Sequence, residues 1–128
     1  MNEADREIWD ELEELNPHYL SAIRNAMRVV VDRHKKYAVD GDPYFNFEHV
    51  ALMMGVRPEQ VFAYYRATKV SRLVAGGGDF DDESTLDTIV DLINYAALEY
   101  GYRLMRVEGE VVTELLDEGI CAKLRGEP

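Results

Sequence analysis

The sequence predicts an all-α fold, a helical bundle of about five helices. Three observations carry that expectation. Apolar residues recur at helical spacing along most of the chain, as with Leu20, Ile23, Met27, Val30 and Val31. Asn16-Pro17, Asp42-Pro43, Gly55, Pro58 and Gly76-Gly77-Gly78 punctuate these stretches as helix caps, starts and stops do. Strand content enters only as an alternative near 103–113, where Val107–Val111 could form a hairpin turn. The 128 residues form one domain by length, enough to bury a core without disulfides.

Each element has its own justification. Residues 3–15 form an acidic amphipathic helix that stops before Asn16-Pro17. Asn16 suits the cap and Pro17 the first turn of a second helix over 17–37. That helix carries Arg24, Arg28, Arg33, Lys35 and Lys36 on its polar side. Ala38–Tyr44 (AVDGDPY) is a turn cluster, because Asp-Gly followed by Asp-Pro does not continue a helix. A short helix over 45–54 ends at Gly55, and Pro58 starts another over 58–75. The tract Gly76–Asp82 is an acidic loop, after which Ser84 or Thr85 caps a helix running to about 106. A last amphipathic helix over 110–124 carries Val111, Val112, Leu115, Leu116 and Ile120 on one side. The domain thus reads as 1–128, with the acidic helix 1–15, a core over 17–106 that holds the site, and a C-terminal helix 110–124. Apolar residues spread over wide arcs on the two long helices predict a homodimer or higher homo-oligomer.

Charge excludes several function classes. The chain has 25 Asp+Glu against 14 Lys+Arg, a net −11. Seven acids against Arg6 give the first fourteen residues −6. Direct nucleic-acid binding is not expected, since such surfaces are basic. Anionic membranes are excluded as partners by the same sign, and no run of apolar residues is long enough to span a bilayer. The single Cys121 excludes a disulfide framework and a cysteine zinc site. The acidic, polar N-terminus is unlike a secretory signal, so the expectation is a cytoplasmic protein.

The stretch Glu83–Tyr95 (ESTLDTIVDLINY) carries the most chemistry. On a helix Glu83, Asp87 and Asp91 stand at i, i+4 and i+8, with Asn94 following on the same side. No Lys or Arg lies between these acids to offset their repulsion. Stacked oxygen ligands of this kind suit Mg²⁺, Mn²⁺ or Ca²⁺. The alternative is a solvated acidic face favoured by the helix dipole, which accounts for Glu83 and Asp87 but not for Asp91. Leu86, Ile89, Val90, Ile93 and Ala97 form the apolar stripe beside them. On the preceding helix Lys69 and Arg72 lie three apart, placed either to hold phosphate oxygens or to pair with those acids. In the turn region Phe45, Asn46 and Phe47 offer stacking and amide recognition of a base, or simply an anchor to the core. His18, His34 and His49 lack metal-ligand spacing, and no Gly-rich phosphate motif or GxSxG occurs.

These residues resemble a known family. Lys69-Val-Ser-Arg72-Leu73, a loop, and then Glu83-Ser-Thr-Leu-Asp87-Thr-Ile-Val-Asp91-Leu-Ile-Asn94-Tyr95-Ala96 are similar to the phage-type nucleotide modification associated domain. The upstream Tyr37…Gly41-Asp-Pro…Asn46-Phe47 resembles a second segment of that family, interrupted here by Ala38-Val39-Asp40. More distantly, Asp87-Thr-Ile-Val-Asp91 resembles the second motif of MazG-like nucleotide pyrophosphohydrolases. The resemblance implies an all-α, MazG-like subunit in an oligomer. It also implies metal-dependent cleavage of a (d)NTP to (d)NMP and pyrophosphate. In that reading Glu83, Asp87, Asp91 and Glu48 hold Mg²⁺ or Mn²⁺, while Asp87, Asp91, Lys69 and Arg72 carry catalysis. Asn94, Tyr95, Asn46 and Phe45 contact the nucleotide, the one small-molecule partner implied. The family's first carboxylate pair on the preceding helix is absent, and Lys69 and Arg72 stand there instead. Two other functions therefore stay open: a nucleotide-binding or sequestering protein without turnover, and an acidic protein-interaction module.

Overall fold

The computed structural model describes residues 1–76 and 83–124, with side chains described as far as 109. Five helices are described, and no strand stands among the described residues: α1 (Glu3–Leu15), α2 (Pro17–Tyr37), α3 (Phe45–Met54), α4 (Pro58–Ala75) and α5 (Glu83–Leu124). The chain groups into two units, Met1–Ala96 and Ala97–Pro128.

Local chemistry explains the boundaries in the first unit. Asn2 caps α1 by accepting from the Asp5 amide, 2.8 Å. Asn16 then does two things. Its amide donates to the Leu12 carbonyl and closes α1, and its side chain accepts from Tyr19 N and opens α2. In the turn that follows, Asp40 and Gly41 take positive φ, 53° and 75°, a conformation that Asp and Gly tolerate best. Asp42 accepts from the Tyr44 amide at 2.9 Å, which turns the chain into α3. Gly55, at φ 68°, ends α3, and the Val56 amide reaches back to the Ala51 carbonyl at 3.0 Å. Pro58 starts α4, with the Gln60 side chain accepting from Arg57 N at 2.9 Å.

The core of this unit is small. Leu20, Ala26, Phe47, Ala51, Val61, Phe62 and Val90 are buried. Its densest part joins α3 to α4, where Phe47 stacks on Phe62 with centroids 4.2 Å apart. Helix α1 buries none of its residues and lies on α2. Trp9 sits under the Arg24 guanidinium, 5.1 Å from ring centroid to the charge, and Arg24 reaches Glu13 at 3.9 Å. In the second unit, Arg103 donates to Glu99 at 2.9 Å, and Arg106 lies over the Tyr102 ring at 5.9 Å.

Three expectations need correction. The helices expected over 84–106 and 110–124 are one helix of 42 residues, so the hairpin at Val107–Val111 does not form. Gly109 lowers helix propensity by about 1 kcal/mol, too little to break a helix this long. Ser84 and Thr85 lie inside α5 rather than capping it. The apolar stripe splits: Val90 is buried, but Leu86 is 56% exposed and Ile89 40%. Residues 77–82 of the expected acidic loop and the side chains of the 111–120 stripe and of Cys121 lie outside what the structure describes. No helix among the described residues is long and apolar enough to cross a membrane.

Candidate functional site

The site is centred on Asp91, on the side of α5 that faces α2 and α4. Asp91 is 8% exposed, and both of its carboxylate oxygens are taken by cations. Arg33 of α2 reaches Oδ1 at 2.8 Å, and Lys69 of α4 reaches Oδ2 at 2.8 Å. One carboxylate therefore ties three helices together. The two cations are unequal. The Lys69 side chain is 16% exposed and is largely committed to Asp91, while that of Arg33 is 45% exposed and keeps donors free for water or a ligand.

Helical spacing arranges what surrounds this triad. Asn94, one turn on from Asp91, is buried and donates to the Ala26 carbonyl of α2 at 3.0 Å. Its amide is thus spent on holding α5 against α2. Tyr95, four residues on, stacks on Tyr65 of α4 with centroids 5.6 Å apart and planes 23° apart. Phe47 meets both rings edge-on. Burial is the main cause that pushes the Tyr95 phenol above its ordinary value; the Asp91 charge adds to it, and Arg33 and Arg72 oppose it. Arg72 is exposed and makes no ion pair among the described residues. Two cations thus hold one carboxylate beside a half-buried pair of tyrosine rings, and Arg72 is near enough for its charge to act on the Tyr95 phenol.

The remaining residues singled out in the sequence are more scattered. Glu83 and Asp87 are exposed in the first turns of α5, without an ion pair among the described residues. Thr88, between them and the core, donates to the Ser84 carbonyl at 2.9 Å. Phe45, 39% exposed, stacks on His49 with centroids 5.6 Å apart, and Asn46 beside it is exposed. Glu48 belongs to a carboxyl pair with Asp42. Desolvation, then the Asp42 charge, then a hydrogen bond with Asp42, push the Glu48 carboxyl above its ordinary value. The same Asp42 charge, after burial, raises the Tyr44 phenol.

Of the expected metal ligands, Asp91 has both oxygens held by cations. A carboxylate already neutralised by a guanidinium and an ammonium is a poor ligand. Among the described residues no group of three or more His, Cys, Asp and Glu is placed to hold a metal. What the arrangement can do is attract an anion: Arg33 and Arg72 present exposed guanidinium donors next to aromatic faces. Sequence reasoning missed Arg33 and Tyr65. Arg33 is 58 positions from Asp91, and no spacing rule connects the two. Tyr65 lies among the aromatics of α4, where only the fold singles it out.

The chain matches no family model, no curated protein and no solved structure.

Proposed function

We propose that the protein binds a nucleotide at the Asp91 centre, through its phosphates and without a resident metal. The observation that carries this reading is the excess of cations over carboxylates there, in a chain of net −11. Arg33 and Arg72 receive phosphate oxygens, each guanidinium offering parallel N–H donors. Lys69 adds positive potential but stays with Asp91. Asp91 keeps Arg33 and Lys69 in place, so little ordering entropy remains to be lost on binding. Tyr65 and Tyr95 give a base a stacking surface worth about 1–3 kcal/mol. The resemblance of the Lys69–Leu73 and Glu83–Ala96 segments to a nucleotide-related family supports the same ligand class.

The test is equilibrium binding of triphosphates in EDTA, followed by titration calorimetry. Arg72→Ala should weaken binding about tenfold or more, with the fold unchanged by circular dichroism. Unaltered affinity in Arg72→Ala would remove this site.

A second reading, pyrophosphohydrolysis of a (d)NTP, is favoured by Glu83 and Asp87, which stand exposed and unpaired among the described residues. Its signature is monophosphate and pyrophosphate formed with Mg²⁺ or Mn²⁺ and lost in Asp87→Ala.

A further inference from the structure

A groove of about 550 Å³ runs between the first half of α2 and the first turns of α5. Its α5 side is apolar, with Leu86, Ile89, Val90 and Ile93, while its α2 side is mainly polar. Arg28 stands at its rim and has no ion pair among the described residues. Exposed Leu86 and Ile89 are costly to leave in water, at about 25 cal/mol per Å² of apolar surface. The same unit carries a stripe that matches this groove. On α1, Ile8, Glu11 and Leu15 stand at i, i+3 and i+7 and so share one side of the helix. Ile8 is 64% exposed and Leu15 75% exposed, and Glu11 has no partner among the described residues.

We infer that the groove receives α1 of a second copy of this chain, in a two-fold dimer. Charge complementarity selects this occupant. Of the α2 cations, Arg24 and Arg28 line the groove; Arg24 is held by Glu13 and Trp9 of its own chain, which leaves Arg28 to meet an acid from the first fourteen residues, whose net charge is −6. Length agrees as well. Ile8 and Leu15, like Leu86 and Ile93, stand seven positions apart, about 10 Å of helix. Ile8 and Leu15 meet the apolar α5 side, and Glu11 between them meets Arg28 of the other copy. This is helix-in-groove recognition with i, i+3 and i+7 anchors. Because each chain carries both the stripe and the groove, a two-fold axis satisfies both at once and closes the assembly. The pairing engages neither Asp91 nor Arg72, so it stands independently of the nucleotide reading.

Sedimentation equilibrium of the full chain tests the pairing. A dimer is expected at micromolar concentration, loosening as salt rises. Arg28→Glu alone and Glu11→Arg alone should each weaken it about tenfold or more, by setting like charges together. The double variant Arg28→Glu/Glu11→Arg should restore it, since each copy then offers the inverted pair. Ile89→Asp should give monomer with helical circular dichroism retained. A monomeric wild type would overturn the inference. So would a dimer indifferent to both single charge reversals, or a double variant no tighter than the singles; the groove would then belong to another ligand.

Discussion

Asp91 sets the energetics at the scale of the single residue. Removing one member of a buried, hydrogen-bonded ion group leaves the others desolvated and unpaired, at a cost of about 3–5 kcal/mol. Lys69 is the more buried of the two cations, so it carries most of that penalty. Asp91→Ala should therefore lower the urea midpoint strongly. Asp91→Leu paired with Lys69→Met should recover part of the loss, because an apolar pair of similar volume has no charge to desolvate. Glu48 makes a prediction of opposite character. Its carboxyl is raised in the folded state, so the folded chain holds the Glu48 proton more tightly than the unfolded chain. The contribution to stability is present at pH below the unfolded value and is lost as pH rises through the folded one. Glu48→Gln should accordingly be the more stable protein at neutral pH, with the difference shrinking in acid; urea melts at pH 4 and pH 7 measure both. Equal differences at the two pH values would show that neither burial nor Asp42 raises the Glu48 carboxyl.

At the scale of the element, the boundaries rest on a few side chains that the sequence displays openly. Asn16 ends α1 and caps α2, so Asn16→Ala should cost about 1 kcal/mol, read as a lower melting temperature. Phe47 joins α3 to α4 through Phe62, and Phe47→Ala should cost about 3–5 kcal/mol. Such features are legible because caps, prolines and αL glycines act on neighbours in sequence. The ranges expected for α1 to α4 coincide with those observed for this reason. α5 was harder to read. Gly109 between charged residues looked like a turn, yet a long helix absorbs one glycine at small cost. The site was legible in part. Asp91, Lys69 and Arg72 stand out by helical spacing, and the expected pairing of a cation with the acids of the next helix is met by Lys69 and Asp91. Arg33 and Tyr65 were not legible, because long-range partners leave no local trace. Nor does spacing reveal that Asn94 faces a backbone carbonyl rather than a ligand.

For the whole molecule, the balance between exposed apolar surface and core matters most. Leu52, Met53 and Met54 at the end of α3, and Val74 at the end of α4, lie largely in water alongside Leu86 and Ile8. A monomer of this size seldom leaves so much apolar surface open. Charge is distributed just as unevenly, with an acidic α1 on a basic α2 and a cation-rich centre at Asp91. In an acidic protein that centre focuses potential on small anions while the surrounding surface repels polymeric ones. Under the proposed function, small phosphorylated ligands are therefore favoured over nucleic acid.

The most direct measurement incubates the purified chain with each NTP and dNTP, in Mg²⁺ and separately in EDTA. Binding is followed by calorimetry, and products are resolved by chromatography. The account predicts binding that survives EDTA, weakens in Arg72→Ala and leaves the triphosphate intact. Release of monophosphate and pyrophosphate in Mg²⁺, abolished by EDTA, would contradict it and assign Glu83 and Asp87 to catalysis. An absence of binding to every nucleotide would contradict it altogether.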